Sequence, residues 1–186
     1  MKYKGEQTGT TIGSDVIVRE NVTINRGTSA YGMTKIGNNV LLMAAAHVAH
    51  DCIISDNVIM ANMATLGGHV EIKEYASLGG GVLVHQFCRI GAHVFIGGGF
   101  RVVQDVPPFI LAVGEPLHYG GINSIGLKRR GFTTEALTNI KKAYRKYFRS
   151  DLPRSSALEK MKNEMETSAE IEEIINFIDT SERGII

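Results

Sequence analysis

A six-residue periodicity in the N-terminal part of the chain limits the folds that it can adopt. Starting at Ile12, every sixth residue is apolar, and the residue four positions further on is small or apolar. Fifteen hexads obey both rules, and one irregular unit at residues 30–35 breaks them without changing the count of six. A helix has a period of 3.6 and a strand a period of 2, so a period of six favours a solenoid of short strands joined by tight corners.

Three hexads would complete an 18-residue coil, so residues 18 apart should stack. The clearest such series is Ile36, Ile54, Ile72 and Ile90.

Glycine is enriched where the hexads lie. Of the 21 glycines, 13 lie between residues 12 and 107, and this stretch contains no proline before Pro107. Enrichment of glycine without proline argues against a flexible linker. We expect Gly and Asn to supply the backbone conformations that the coil corners demand. Cys52 and Cys88 both take the small inward position two coils apart, too far for a disulfide, so we interpret them as core residues.

Charge and hydropathy exclude two classes of protein. The chain has 20 Lys and Arg against 19 Asp and Glu, a net charge of +1, which argues against a wholly basic nucleic-acid binder. The longest apolar run, residues 41–46, is far shorter than the roughly 18 residues of a membrane span. A polar stretch follows Met1 in place of a secretory signal, and two cysteines fit a reducing compartment. We therefore expect a cytoplasmic protein with no membrane span and no nucleic-acid partner.

The hexads end at Pro107 and Pro108, which we expect to end the strand pairing. This predicts two domains, a β-helix over 1–108 and a linker with an α-helical domain over 109–186. Apolar residues at helical spacing predict a helix from Thr134 to about Arg149. A capping-box pattern at 156–159 predicts a second helix through Met165, and four isoleucines between 171 and 178 line a third.

Basic and acidic residues are separated in this C-terminal part. Residues 126–154 contain nine Lys or Arg and two acids, a net charge of +7, whereas residues 157–186 contain eight acids and three bases, a net charge of −5. The basic stretch is either a solvated helix face or a docking surface for an anion: a nucleotide diphosphate, a phosphopantetheine arm or an acidic carrier protein.

Five of the six histidines lie within the hexads, and none takes an inward position, so they must lie at corners or on outer faces. Stacking at 18 places Gly68 one coil beyond His50, and His69 one coil beyond Asp51. An exposed imidazole beside an acid can act as a general base, and a neighbouring glycine lets substrate approach a backbone N–H that could stabilise an oxyanion. The alternative is a patch of surface polar residues. The residues predicted to share this edge are His50, Asp51, Gly68, His69, His85 and Gln86.

The hexads at 36–41 and 90–95 resemble the hexapeptide repeat of the left-handed parallel β-helix. The predicted fold is thus mainly β, a left-handed parallel β-helix followed by α-helices. Five longer motifs follow one another along the chain: LLMAAAHVAHDC (41–52), NMATLGGHV (62–70), VHQFCRIGAHV (84–94), QDVPPF (104–109) and GLKRRGF (126–132). Together they resemble the UDP-N-acetylglucosamine O-acyltransferase family, which opens lipid A biosynthesis.

This resemblance implies transfer of a 3-hydroxyacyl group from an acyl-carrier-protein thioester to the 3-hydroxyl of UDP-N-acetylglucosamine. It implies that His50 is the catalytic base, that Asp51 orients it, and that the Gly68 N–H donates to the oxyanion. It also implies that Gly98 limits the acyl length, and that a glycine there favours a longer chain. The positions that match substrate-binding residues are Lys2, His47, His69, His85, Gln86, Asn123, Arg129 and Arg130.

The resemblance further implies a homotrimer with active sites between subunits, no metal and no other cofactor, with the carrier-protein thioester as co-substrate. Two departures stand out: Asn25 replaces a histidine that is common in the family, and the family carries further coils before the position of Met1. The second departure leaves open a shortened, inactive scaffold or trimerisation module. A zinc enzyme similar to the gamma-class carbonic anhydrases is a further alternative, although their close ligand pair is His-x4-His and the pair here is His-x2-His.

Overall fold

The structure is a computed structural model, and it describes residues 5–150 and 152–186. The hexads form three parallel sheets that enclose a core, which confirms the predicted parallel β-helix. The strands are β1 (Gly9–Ile12), β2 (Ile17–Val18), β3 (Thr23–Ile24), β4 (Met33–Ile36), β5 (Leu41–Leu42), β6 (His47–Val48), β7 (Ile53–Ile54), β8 (Ile59–Met60), β9 (Thr65–Leu66), β10 (Glu71–Ile72), β11 (Ser77–Leu78), β12 (Leu83–Val84), β13 (Arg89–Ile90), β14 (Phe95–Ile96) and β15 (Arg101–Val102). Successive strands enter three sheets, A, B and C, in turn. Sheet A contains β1, β4, β7, β10 and β13, sheet B contains β2, β5, β8, β11 and β14, and sheet C contains β3, β6, β9, β12 and β15.

Three corners join the sheets, and each is a column of stacked turns. The A–B corner contains residues 37–39, 55–57, 73–75 and 91–93, and the B–C corner contains residues 43–45, 61–63, 79–81 and 97–99. The C–A corner contains residues 49–51, 67–69 and 85–87. The two side chains of each hexad that were predicted to point inward fill the space between the sheets, and most of those from Ile36 onward are fully buried.

The two cysteines lie in this core, as their positions in the hexads predict. Cys52 and Cys88 are both 0% exposed and both are free thiols. Burial raises the pKa of each thiol to about 11. Both side chains are therefore protonated at neutral pH and serve as small packing groups.

The 18-residue register is confirmed from β4 onward, but the first coil is longer. Ile36 pairs with Ile54, and Ile72 pairs with Ile90. In contrast, Ile12 pairs with Ile36 across 24 residues. The irregular hexad therefore adds no strand of its own to the stack: six extra residues lengthen the first turn into a loop over residues 25–32 at the C–A corner, and the last three residues of the hexad lie in β4.

The corners use glycine differently from the expectation. Left-handed backbone conformations recur every sixth residue, and Asn and Asp supply several of them, for example Asn39 and Asn57. Glycine occupies only a minority of these positions. Gly67 and Gly91 have no positive φ; instead, an added Cβ would lie 2.7 Å from Gln86 N and 2.4 Å from Pro108 N respectively. Glycine is needed there because the next coil passes too close for a side chain.

Sheet B continues past the prolines, so the expectation that they end strand pairing is wrong. Strand β16 (Ile110–Val113) pairs in parallel with β14, and β17 (His118–Ile122) pairs antiparallel with β16. The pairing resumes because β16 begins after Pro108, where every residue has an N–H to donate. Sheet B therefore crosses the predicted boundary between residues 108 and 109.

Four helices follow: α1 (Ser124–Arg129), α2 (Thr134–Phe148), α3 (Arg154–Glu164) and α4 (Ala169–Asp179). The structure confirms the first predicted helix as α2 and the third as α4. The predicted capping box is wrong, because α3 begins at Arg154 after Pro153 and has no side-chain cap. Helix α2 is fixed to the end of the β-helix by the buried Tyr144 hydroxyl, which donates to Pro108 O at 2.6 Å. Within the described residues, no helix combines the length and apolarity that crossing a membrane requires.

A half-buried acid on α4 makes the stability of the fold depend on pH. Burial, together with Glu74 and Glu170, raises the pKa of Glu173 from 4.5 to about 7. Because the folded state holds this proton more tightly than the unfolded state, stability falls as pH rises from about 4.5 through 7. We expect Glu173→Gln to increase the free energy of unfolding on the order of 2 kcal/mol at pH 8 and little at pH 5. Urea denaturation at both pH values measures this, with exposed Glu172→Gln as control; equal gains at both pH values would contradict it.

Candidate active site

The C–A corner brings an imidazole and a carboxylate together. His50 Nδ1 lies 2.9 Å from Asp51 Oδ2, with the His50 side chain 31% exposed and the Asp51 side chain fully buried. Asp51 has a φ of +60°, the left-handed conformation that recurs at this position of each hexad. The loop that contains Thr28 thus covers the acid at this corner, whereas the base remains accessible to solvent.

Four hydrogen bonds hold Asp51 in place. Its Oδ1 accepts from Thr28 N at 2.8 Å, and its Oδ2 accepts from Thr28 Oγ1 at 2.6 Å and from His50 Nδ1. Its own N–H donates to Thr34 Oγ1 at 2.8 Å. Burial alone would raise the pKa of Asp51, but the Thr28 and His50 hydrogen bonds and the nearby His69 lower it below its ordinary value. Asp51 is therefore an ionised acceptor that holds the proton of His50 on Nδ1 and leaves the Nε2 lone pair free.

Gly68 stacks directly beside the His50 ring, as the 18-residue register predicts. A Cβ added at Gly68 would lie 2.6 Å from His50 Cε1 and 2.8 Å from Nε2. Among the hydrogen bonds of the described residues, the Gly68 N–H donates none, whereas its carbonyl accepts from Phe87 N at 3.0 Å. The base and a backbone donor thus lie side by side at an open corner, an arrangement suited to acyl transfer.

Alanine at position 68 is expected to displace the imidazole while it keeps the backbone N–H. We expect Gly68→Ala to lower kcat/KM for the reaction of this site by roughly 10- to 100-fold, because a misplaced reacting group is costly. The unfolding temperature should change little, since the His50 ring is partly exposed and can move away. Gly80→Ala is the matched control: Gly80 has the same place in its hexad, and its added Cβ would come no closer than 3.4 Å to another atom. Equal activity of the two variants would contradict the prediction.

Three rings support the pair from the neighbouring coils. His69 Nε2 lies 3.7 Å from Asp51 Oδ2, and the His69 side chain is 11% exposed. The His69 ring stacks on Phe87 with centroids 4.6 Å apart and meets the edge of Tyr31 at 4.9 Å. The structure therefore brings His69 into the cluster, and it adds Tyr31 and Phe87, which the sequence analysis did not identify.

Three further predicted residues lie close to this corner. His85 and Gln86 lie two coils from His50, and His85 Nδ1 approaches Gln86 O at 3.1 Å. Arg183, from the C-terminal tail, reaches the same His85 nitrogen at 3.3 Å. His47 lies on the outer face of sheet C, where its Nδ1 is 2.7 Å from Thr23 Oγ1.

The remaining predicted residues lie elsewhere on the molecule. Asn123 caps α1, and its Nδ2 donates to His93 O at 2.9 Å. With Arg129 and Arg130 it lines a groove of about 630 Å³ over the outer face of sheet B, across the prism from the C–A corner. Gly98 lies at the B–C corner. A single chain therefore does not gather these residues around His50.

Three other residues complete the account of the sequence predictions. Lys2 lies outside the described residues. Asn25, where the family commonly has histidine, lies in the loop at the C–A corner, with its N–H bonded to Val48 O. His93 packs between aromatic rings at the A–B corner, and burial, with Arg130 nearby, lowers its pKa to about 4. It is therefore neutral at pH 7, and it lies at a different corner from His50.

Sequence reasoning missed Thr28 and Thr34, the two threonines that fix Asp51. Thr28 lies in the long loop of the first coil, which has no regular 18-residue spacing to the second, and Thr34 lies at the end of the irregular hexad, in β4. The one available signal was the irregular hexad at 30–35, because an interruption of a strict repeat marks a segment with a separate role.

The stack of hexapeptide coils places the chain in the hexapeptide class of transferases, since residues 33–68 match the family model of the bacterial transferase hexapeptide (six repeats). Residues 105–186 match a second model, domain 2 of UDP-N-acetylglucosamine O-acyltransferase. The chain belongs to the UDP-N-acetylglucosamine O-acyltransferase family and is an O-acyltransferase.

Relatives of known function cover nearly the whole chain. The acyl-[acyl-carrier-protein]–UDP-N-acetylglucosamine O-acyltransferases of Syntrophobacter fumaroxidans and Thermodesulfovibrio yellowstonii are each 50% identical to it over 186 residues, and the match spans 72% of each relative. The solved UDP-N-acetylglucosamine acyltransferase of Bacteroides fragilis is 50% identical, with a TM-score of 0.97 over 99% of this chain and 72% of that one. The enzyme of Francisella novicida gives a TM-score of 0.96 at 39% identity, over 100% of this chain and 68% of that one.

Proposed function

We propose that the His50 corner transfers a 3-hydroxyacyl group from an acyl-carrier-protein thioester to the 3-hydroxyl of UDP-N-acetylglucosamine, the first step of lipid A biosynthesis. The observation that carries this proposal is the intact His50–Asp51 pair beside the free Gly68 N–H, in a chain 50% identical to acyltransferases named for this reaction.

The chemistry follows from the orientation of the His50 ring. Nε2 takes the proton of the sugar hydroxyl while the hydroxyl oxygen attacks the carbonyl carbon of the thioester. Asp51 stabilises the imidazolium that forms, through the hydrogen bond from Nδ1–H. The Gly68 N–H donates to the oxyanion that forms. The C–S bond then breaks, the carbonyl re-forms, and the carrier's sulfur leaves with the proton held on Nε2. Since protein groups supply both the base and the oxyanion donor, we propose that no metal or other cofactor takes part.

A homotrimer would unite the two sets of predicted substrate-binding residues. In one chain the groove with Asn123, Arg129 and Arg130 lies across the prism from His50, so the groove of one subunit can complete the corner of the next. Apolar side chains are exposed on the surfaces that would meet. They include Ile59 (39%) and Phe95 (41%) on sheet B, Met63 (61%) at the B–C corner and Leu83 (49%) on sheet C. Exposed apolar groups of this kind are typical of subunit interfaces.

Subunit mixing tests the shared site. His50→Ala and Arg129→Ala homotrimers should each be nearly inactive, whereas trimers assembled from both chains after denaturation should regain part of the wild-type rate. Light scattering should give the mass of three chains. A monomer, or mixed trimers without activity, would contradict the shared site.

The basic surface of the helical part is a docking surface for the carrier protein in this proposal. Four cations on α2 and the residue after it surround a cleft of about 620 Å³ that also reaches α3. They are Lys142, Arg145, Lys146 and Arg149. Helices of carrier proteins are acidic, and opposite charge accelerates association. We place this reaction in the cytoplasm.

Gly98 is proposed to leave space for the acyl chain. It lies at the B–C corner, where an added Cβ would come within 3.1 Å of Gly80 O. A side chain at this position would narrow the space beside the coil, so glycine favours a longer acyl group. Lys2 remains a predicted substrate contact.

The direct test incubates the full chain with UDP-N-acetylglucosamine and a series of 3-hydroxyacyl carrier proteins, with detection of the 3-O-acyl product by mass spectrometry. We expect turnover that is abolished when the sugar lacks its 3-hydroxyl. A folded trimer that binds no nucleotide sugar and forms no product would favour the scaffold alternative.

A further inference from the structure

The C–A corner gathers three metal-ligating side chains within one chain. His50, Asp51 and His69 each offer a donor atom, and these atoms all lie within 4.8 Å of one another. His50 Nδ1 is 2.9 Å and His69 Nε2 is 3.7 Å from the same oxygen, Asp51 Oδ2. We propose that this trio is an inhibitory site for a divalent transition-metal ion, Zn²⁺ above all. Only the inhibition rests on the proposed function.

Two of the three donor–donor distances are close to those that a tetrahedral ion requires, and the third, between the two histidine nitrogens, is at most 4.8 Å and must close to about 3.4 Å. Zinc binds imidazole nitrogen at about 2.0–2.1 Å and carboxylate oxygen at about 2.0–2.2 Å, so neighbouring donors lie about 3.4 Å apart. The gap from Asp51 to His50 must therefore open by about half an ångström, and the gap to His69 must close by about 0.3 Å. The His50 ring can make this movement because its side chain is 31% exposed.

Side chains of the neighbouring coils contact the other two donors. Thr28 fixes both oxygens of Asp51 through its N–H and its hydroxyl. Tyr31 and Phe87 enclose the His69 ring on its edge and its face. A preformed carboxylate and a preformed imidazole lower the entropic cost of binding an ion, and the partly exposed side next to His50 leaves a coordination position for water.

The donor set selects the kind of ion. Two imidazole nitrogens and one carboxylate oxygen suit Zn²⁺ and Co²⁺, whereas Mg²⁺ and Ca²⁺ prefer oxygen ligands alone. Metal coordination needs the lone pair of His50 Nδ1, so the ring proton moves from Nδ1 to Nε2 and none is lost. An imidazole with metal on Nδ1 and a proton on Nε2 cannot accept the proton of a sugar hydroxyl. Bound metal therefore inhibits the reaction by occupying the base.

Binding is measured without reference to activity. Calorimetry with ZnCl₂ and absorption spectroscopy with CoCl₂ on the full chain should show one ion per chain, with the intense visible bands of tetrahedral Co²⁺. We expect Asp51→Asn and His69→Gln each to weaken binding at least tenfold. His118→Gln is the matched control, because His118 is exposed on β17 and outside the trio. Circular dichroism establishes that each variant is folded.

The inhibition is tested separately. In the acyl-transfer assay, Zn²⁺ should inhibit with the midpoint found by calorimetry, a chelator should restore activity, and Mg²⁺ should have no effect. Failure of the wild-type chain to bind Zn²⁺ at micromolar concentration would overturn the site, as would unchanged binding in both trio variants. Zinc binding that leaves the rate unchanged would overturn the inhibition. Normal zinc binding by a chain with no acyl-transfer activity would count against the proposed function and leave the metal site standing.

Discussion

Replacing His50 with alanine should lower kcat for acyl transfer by about 10²- to 10⁴-fold, the usual contribution of a positioned general base. The Asp51 contact holds the ring proton on Nδ1, and this leaves His50 Nε2 as the nitrogen with a free lone pair beside Gly68, the proposed base. The oxyanion donor survives the substitution, so a residual rate above the uncatalysed reaction is expected. Steady-state kinetics with a saturating carrier-protein thioester measures the loss.

A structural role for His50 would give a different result. Its side chain is 31% exposed and Asp51 keeps its two Thr28 hydrogen bonds without it, so the unfolding temperature should change by only a few degrees. His118→Ala removes an exposed histidine elsewhere and should leave kcat unchanged. An unchanged kcat in His50→Ala would show that this histidine is not the base.

Replacing Asp51 with asparagine should be nearly as damaging, although the two side chains have almost the same shape. Thr28 N donates to Oδ1, so the amide oxygen of asparagine must take that position and its NH₂ must take the position of Oδ2. The NH₂ group then donates to His50 Nδ1 and places the ring proton on Nε2, where no proton can be accepted. We expect kcat to fall on the order of 10³-fold.

The same substitution has a structural consequence that can be measured independently. The half-buried Thr28 hydroxyl loses its carboxylate acceptor, and we expect a cost of about 1–3 kcal/mol in the free energy of unfolding. Nitrogen-15 spectra of labelled histidine should show the His50 proton moved to Nε2. Asp56→Asn is the matched control, because Asp56 also accepts a backbone N–H at a corner, at 2.7 Å from Asn38. A wild-type tautomer in Asp51→Asn would contradict the proposed role.

Much of the core was predictable because the period alone places its residues. Ile54 and Cys88 are fully buried in the positions that the six-residue rule assigns them. The same rule placed Gly68 against His50 and His69 against Asp51, since stacked coils in register align residues 18 apart. The role of glycine was not predictable in this way. Gly67 is required by the close passage of Gln86 in the next coil, a distance that composition does not contain.

The helical part was predicted less completely, because its elements have no common repeat. The spacing of the apolar residues was sufficient to locate α2. In contrast, β16 extends sheet B beyond Pro108, and no hexad in the sequence predicts this strand. The capping-box pattern gave the wrong start for α3, since Pro153 begins the helix at Arg154. Local signals of this kind compete with one another, and packing against the rest of the chain decides between them.

The sequence by itself determined the coil, its core and the stacking of His50 with Gly68. In a strict repeat, residues that are one coil apart in the sequence lie next to each other along the axis of the β-helix. Only the tertiary structure decided what surrounds that pair. Thr28 reaches Asp51 from a coil of irregular length, and Arg183 reaches His85 from a tail 98 residues away. These contacts join segments that share no period, so they depend on how the loop and the C-terminal tail pack against the corner.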